Sequence, residues 1–374
     1  MIIGILKEPD YDERIALLPE NVKTLKDLKA DVVVEKDAGN RAFFSNSDYE
    51  QAGATIQDRK KVLNSSDLII SINPLSESEY KSLKAKQAVL TAFSPLVNDK
   101  HVKQFVDEDI TSFSMDMVPR ISRAQSMDIL SSMATVAGYK AVLEAANNLP
   151  TFFPMLMTAA GTIKPAKILV LGAGVAGLQA IATGRKLGAV VEAFDVRTAV
   201  KEEVKSLGGK FIEVEGAKDD KEAGGYAVEQ SEEYKQKQQE LIQEHAKKAN
   251  VVITTAQIPG RKAPVLIKKE TVENMIPGSV IIDLAASTGG NCELTKNNET
   301  VEVNSVKIIG NSNFPSQVPS DASKMYGNNI INFLKLITDD EGNLKLDFED
   351  EVVSGTCITH NKEIISERVK SNQK

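Results

Sequence analysis

Three glycines, Gly172, Gly174 and Gly177, stand at the spacing Gly-x-Gly-x-x-Gly directly after the apolar run Lys167-Ile168-Leu169-Val170-Leu171. That order suits a diphosphate. Gly172 permits a tight turn, Gly174 lets the backbone approach the phosphates, and Gly177 lets the following helix pack closely on the strand. Val175 and Ala176 open that helix, whose first amides face negative charge. The pattern predicts that it runs over 175–187 and stops at Gly188 in the usual position past the end. A second apolar run, 190–194, ends at Asp195, 23 positions after Gly172. An acid at that distance hydrogen-bonds the adenosine ribose hydroxyls and repels a 2′-phosphate, so the cofactor expected is NAD(H). Val196 and Arg197 follow on the same loop; Arg197 could in principle welcome a 2′-phosphate, but it reads rather as a solvated loop arginine. Thr255 and Ala256, at the end of a later strand, complete the expected cofactor contacts here.

Those residues need a doubly wound parallel sheet to position them. A βαβ series fits, with strands expected at 168–171, 190–194, 211–214, 251–255, 280–284 and 306–309. The first 115 residues form a second α/β pattern with strands at 2–6, 32–35, 68–71, 88–93 and 111–115. Val22, Leu25 and Leu28 mark one of its helices, and 101–106 another. Two long helices flank the glycine-bearing series. The first, 126–149, is apolar nearly all round (Met127, Ile129, Leu130, Met133, Val136, Ala137, Tyr139) and is expected to be mostly buried. The second, 320–336, has Ser320 or Asp321 as its expected cap. The ending, 344–364, reads as a strand pair turning at His360-Asn361-Lys362. The fold expected is therefore α/β, with two Rossmann-like parallel-sheet domains joined by two long helices and a cleft between them. The first domain is discontinuous, over 1–127 and 320–374; the second spans 128–319.

Composition narrows the partners. The chain has 374 residues and a net charge of −7, which argues against nucleic acid as the main partner. No stretch reaches the ~18–20 uninterrupted apolar residues of a membrane span. The N-terminus lacks the basic region and cleavage site of a signal peptide and reads as a buried strand. Cys292 and Cys357 are far apart and read as reduced structural thiols. His101, His245 and His360 lie in mostly polar contexts, and no metal cluster is visible.

Several further runs are specific. The segment from Pro119 through Arg120, Ile121, Ser122, Arg123, Ala124, Gln125, Ser126, Met127, Asp128, Ile129, Leu130, Ser131 and Ser132 resembles the nicotinamide-contacting loop of proton-translocating NAD(P) transhydrogenases. Met157-Thr158-Ala159-Ala160-Gly161-Thr162, Ala223-Gly224-Gly225-Tyr226-Ala227, Ser279-Val280-Ile281-Ile282-Asp283-Leu284-Ala285 and Val353-Ser354-Gly355-Thr356-Cys357 resemble the same family. The likeness covers 1–359 and corresponds to the NAD(H)-binding component, which shares its fold with alanine dehydrogenase. The resemblance implies that Arg120, Gln125, Asp128 and Ser131 hold the nicotinamide and that Tyr226, beside Gly225, closes over the nucleotide. Read only as residues, Asp128 and Ser131 equally suit helix capping, and Arg120 a surface ion pair.

The resemblance further implies a homodimer, with NADP(H) on a partner subunit and a membrane-spanning subunit that conducts protons. The chain would then be cytoplasmic, peripheral to the inner membrane through its partners. Direct transfer of hydride between two nicotinamides requires no general acid or base at the protein. Amino-acid oxidation does require one. Alanine dehydrogenases place a lysine where this chain has Ser71-Ile72-Asn73-Pro74, and a histidine where it has Ala92-Phe93-Ser94-Pro95. They carry an aspartate before the Gly-Gly pair where this chain has Ala286-Ser287-Thr288-Gly289-Gly290. Of their substrate set, Arg14 remains. A dehydrogenase of that kind and a non-catalytic NAD-binding regulator stay as alternatives.

Overall fold

Short aliphatic and β-branched runs become strands buried on both faces, as expected where helices cover a parallel sheet. A computed structural model describes residues 1–214, 232–257 and 260–372. In chain order the first strands are β1 (Ile2–Ile5), β2 (Asp31–Glu35), β3 (Thr55–Gln57), β4 (Leu68–Ile70), β5 (Ala88–Thr91) and β6 (Thr111–Ser114). A hairpin follows, β7 (Leu156–Thr158) and β8 (Gly161–Ile163). The next are β9 (Lys167–Leu171), β10 (Val190–Phe194), β11 (Lys210–Phe211), β12 (Val251–Thr254), β13 (Val280–Asp283), β14 (Thr300–Val303) and β15 (Val306–Ile309). The chain ends with β16 (Cys357–His360) and β17 (Glu363–Ile364).

Two units result, one of Met1–Met133 with Pro315–Lys374, the other of Ala134–Phe314. In the first, the strand order is β17-β16-β6-β5-β4-β1-β2-β3, parallel from β3 to β6 and antiparallel at β16 and β17. In the second, the order is β11-β10-β9-β12-β13-β15-β14, parallel except at β14. Each sheet has its own two-sided apolar core. The expected α/β class with parallel sheets is therefore what the chain adopts. The strand order of each sheet reverses once, beside β1 in the first unit and beside β9 in the second. Ligands of open α/β sheets bind outside the carboxyl ends of the strands at such points.

Four local expectations need correcting. The first long helix spans Ile129–Asn148 rather than beginning at 126; Ser122–Met127 is a 3-10 turn and Asp128 is extended. Asp128 Oδ1 accepts the Ser131 amide (3.0 Å), so its carboxylate serves the helix's orphan donors and the helix starts after it. That helix is only partly buried, with Leu130 44% and Tyr139 42% exposed. Its apolar residues run all round, and those that are buried are Ile129, Val136, Ala141, Val142 and Ala145. The second long helix, Pro319–Leu336, has Pro319 in its first turn and no side-chain cap; the Ser320 hydroxyl donates to the Ala42 carbonyl instead. Finally, residues before 357 do not form a strand. Asp350 accepts the Val352 and Val353 amides and caps a short helix, Glu351–Thr356. The turn lies at the expected place, with Asn361 and Lys362 both left-handed, the geometry of a two-residue hairpin.

His101 also departs from its polar reading. Its ring lies 5.6 Å from that of Tyr80 and 6.3 Å from that of Phe93, and burial holds it below the usual histidine range. Both cysteines are unpaired and buried, as their spacing implies. Burial pushes the Cys292 thiol up to about 11 and that of Cys357 up to about 12, so neither is a nucleophile at neutral pH.

Candidate functional site

The glycine loop occupies the switch point of the second unit, at the carboxyl end of β9. Gly172 has φ +102°, a conformation that favours glycine, and a Cβ there would lie 2.4 Å from Thr255 Oγ1. At Gly177 a Cβ would lie 1.8 Å from the Gly172 carbonyl oxygen. The helix Val175–Lys186 therefore sits as close to β9 as backbone permits. Gly174 is the opposite case: a Cβ there would meet nothing within 4 Å. The space beside Gly174, at the N-terminus of that helix, is therefore open, and a helix N-terminus is where an anion is favoured. Gly138 in the long helix also touches this corner, since a Cβ there would lie 2.1 Å from the Ala176 carbonyl oxygen. No fingerprint spacing identifies Gly138; only the packing does.

Asp195 lies at the carboxyl end of β10 with its side chain 6% exposed. Its Oδ2 accepts the Ala173 amide at 2.7 Å, tying the acid directly to the glycine loop. Arg197 is not the solvated arginine expected. Its Nε donates to Asp195 Oδ1 and its Nη2 to Oδ2, both at 2.9 Å, and its own amide also reaches Oδ1. This two-point pair holds the guanidinium above its usual range.

Thr255 and Ala256 follow β12 and face the glycine turn, the Thr255 hydroxyl donating to the Gly172 carbonyl at 3.0 Å. Two residues outside the expected set hold them there. Asn291 accepts the Ala256 amide (3.0 Å) and donates to the Ala256 and Pro264 carbonyls (2.9 and 2.8 Å). Asp283, fully buried, accepts from Thr254 Oγ1, the Ala285, Asn291 and Cys292 amides, and Thr295 Oγ1. Asp283 thereby fixes Asn291, and Asn291 fixes Ala256. The signal available in the sequence is the acid that ends the apolar run of β13.

Arg120, Gln125, Asp128 and Ser131 all belong to the first unit, the first three on the segment leading into the long helix and Ser131 in its first turn. Arg120 and Gln125 are exposed, while Asp128 and Ser131 are half-buried. The Ser131 hydroxyl donates to Asp128 Oδ2 at 2.6 Å. This segment is braced by the Pro319–Leu336 helix, since Asn329 and Asn332 both donate to the Ser126 carbonyl (2.8 and 3.1 Å). Arg123 forms a two-point pair with Asp350 (2.9 and 2.8 Å). Gly225 and Tyr226 lie outside the described residues.

The switch point of the first unit carries a different cluster. Arg14 Nε and Nη2 donate to Asp12 Oδ1 and Oδ2 (2.9 and 2.6 Å), with both side chains buried. Asn73 Nδ2 bridges Asp12 Oδ2 and Glu8 Oε2, both at 2.9 Å. Glu8 also accepts the Ile72 and Asn73 amides, yet burial outweighs these bonds and pushes its carboxyl up to about 7. Arg14 thus spends its fork on a carboxylate of its own chain.

An open parallel sheet with a glycine turn at its switch point and an acid following the adjacent strand has the build of a dinucleotide-binding domain. The chain belongs to the alanine dehydrogenase/PNT family, whose N-terminal domain matches residues 4–137 and C-terminal domain residues 141–367. It is 44% identical to the NAD(P) transhydrogenase subunit alpha of Haemophilus influenzae, over 98% of this chain and 72% of that one. It is 46% identical to the first portion of the divided NAD(P) transhydrogenase subunit alpha of Rhodospirillum rubrum, over 98% of both chains. The structure of transhydrogenase from Sinorhizobium meliloti superposes with a TM-score of 0.89 at 42% identity, covering 98% of this chain and 100% of that one. An L-alanine dehydrogenase structure shares the fold, with a TM-score of 0.83 at 24% identity over 100% and 99% of the two chains. Among the described residues no helix is long and apolar enough to cross a membrane.

Proposed function

We propose that this chain is the NAD(H)-holding alpha subunit of a proton-translocating NAD(P) transhydrogenase, passing hydride directly between NADH and NADP+ held on a partner subunit. The observation that carries the reading is the glycine loop hydrogen-bonded to Asp195, within a chain 44% identical to a transhydrogenase alpha subunit. The loop fits a dinucleotide, because the space over Gly174 is open while Gly172 and Gly177 are closed in by their neighbours. The bound nicotinamide supplies the redox chemistry. The protein's task is to hold and orient it and to exclude water.

In this reading the first amides of the Val175–Lys186 helix, with Gly174, Val175, Ala176 and Gly177, take the diphosphate. Asp195 takes the ribose, flanked by Val196 and Arg197, and Thr255 and Ala256 line the turn. Arg120, Gln125, Asp128 and Ser131 place the nicotinamide, and Gly225 and Tyr226 close the site. A braced loop gives these side chains a fixed origin, as near-attack geometry demands. NADP(H) belongs to a partner subunit, and proton translocation to a membrane-spanning one. The subunit itself forms a homodimer; the β7–β8 hairpin, with Met155 58% and Met157 73% exposed, offers apolar surface for a second copy.

An alanine dehydrogenase reading is disfavoured by the buried Arg14–Asp12 pair, which commits the arginine's fork to Asp12 rather than to a substrate carboxylate. A regulator would have no use for a braced nicotinamide loop. The test mixes the purified chain with an NADP(H)-binding subunit and follows reduction of a nicotinamide analogue. Transfer is expected. Tight NADH binding without transfer favours the regulator, and L-alanine-dependent NADH formation favours the dehydrogenase.

A further inference from the structure

The acid at the end of β10 has a cation of its own chain on it. Both Asp195 oxygens carry a guanidinium hydrogen bond at 2.9 Å, and each also accepts a backbone amide, from Arg197 on Oδ1 and Ala173 on Oδ2. The two partners are unequally covered: the Asp195 side chain is 6% exposed and that of Arg197 31%. The arginine is therefore the outer group, and the carboxylate is reached by moving it. The two backbone amides are part of the loop and stay in place. A diol arriving at Asp195 competes with the guanidinium alone.

We propose that Arg197 is a displaceable counter-ion on the ribose site, which weakens NADH binding and softens the rejection of a 2′-phosphate. The proposal rests on the reading of Asp195 as the ribose acid. Two consequences follow from one charge. Before binding, the pair satisfies a buried carboxylate, and a ribose diol must replace charge-assisted bonds to the guanidinium with bonds to neutral hydroxyls. After displacement, the guanidinium remains tethered two residues away, where it offsets the repulsion between Asp195 and a 2′-phosphate. The acid by itself excludes NADP(H); the acid with its arginine excludes it less and also holds NADH less tightly.

The experiment measures dissociation constants for NADH and NADPH by nucleotide fluorescence for the wild type, Arg197→Ala, Arg197→Lys and Asp195→Asn, with thermal melts of each. Arg197→Ala should tighten NADH about fivefold, the scale of one partly exposed ion pair. The same variant should weaken NADPH by about fivefold, moving the two nucleotides in opposite directions. Arg197→Lys keeps the charge and loses the fork, so it should tighten NADH while leaving NADPH near the wild-type value. An equal loss of both nucleotides in Arg197→Ala would mean a contact with the moiety they share and would overturn the proposal. So would no change in either. A separate failure is distinguishable: if Asp195→Asn leaves NADH binding intact, the ribose role of Asp195 falls, and the proposal falls with it.

Discussion

Gly174→Ala separates binding from folding more cleanly than any other change in the loop. Gly174 is the residue before the helix, with φ −76° and ψ −170°, a backbone any residue adopts, and its Cβ would meet nothing within 4 Å. Alanine is a poorer residue than glycine at that position, a cost of about 0.5–1 kcal/mol. In a domain of this size 1 kcal/mol lowers Tm by about 2–4 °C, so the variant should melt within that interval of the wild type. The added methyl stands in the open space beside Gly174, where the diphosphate is assigned. Losing one charge-assisted bond to a phosphate costs about 1.5–3 kcal/mol, a loss of roughly 10- to 150-fold in NADH affinity. Gly177→Ala is the contrasting control. Its Cβ would stand 1.8 Å from a carbonyl oxygen, so the strand and helix must part, at about 1–3 kcal/mol or more. Differential scanning fluorimetry and an NADH titration on both variants provide the comparison. If Gly174→Ala bound NADH as tightly as the wild type, the diphosphate would not pass over this loop, and the assigned site would be wrong.

Asn291→Ala strands the Ala256 amide and the Pro264 carbonyl, each costing about 1–3 kcal/mol if left buried; urea midpoints and NADH affinity should both fall. Gln125→Asn should slow hydride transfer far more than it weakens NADH binding, and equal losses would make Gln125 an affinity contact only. Glu8 predicts a pH dependence. Its folded value, about 7, lies above the unfolded 4.5, so the native state binds more protons between those values. Stability should therefore fall as pH rises through that window, by at most about 3 kcal/mol from this group. Denaturation midpoints at pH 5 and 8 should differ less in Glu8→Gln than in the wild type, and an unchanged difference would remove Glu8 as the cause. Met157→Asp should shift the chain toward monomer in light scattering if the hairpin joins two copies, and an unchanged mass would place the dimer contact elsewhere.

Much of the second unit is legible from neighbouring residues alone. The glycine spacing, the apolar run before it, Gly188 after the helix and Asp195 beyond are local features, each expressed within a turn or a strand. Apolar runs likewise mark most central strands of both sheets, because a strand covered on both faces favours near-continuous apolar residues; β6, with Thr111, Ser112 and Ser114 buried, is the exception. The short edges β3 and β14 escape that test, since their residues are exposed or half-buried. The boundary of the long helix escapes it too: an apolar pattern continues through Met127, but the Asp128 carboxylate takes the Ser131 amide and sets the start.

Only the tertiary structure decided how the candidate sites are held and which charges are paired. Sequence places Arg197 two residues after Asp195, but does not say whether the guanidinium faces solvent or the carboxylate. It places Arg14 in the first unit without showing that Asp12 occupies its fork. Asn291 reaches Ala256 across 35 residues, and Asn329 reaches Ser126 across 203. Spacing along a chain records what a segment prefers by itself. Hydrogen bonds of that span exist only once the sheets have brought the segments together, and a charge's partner is settled by the same packing.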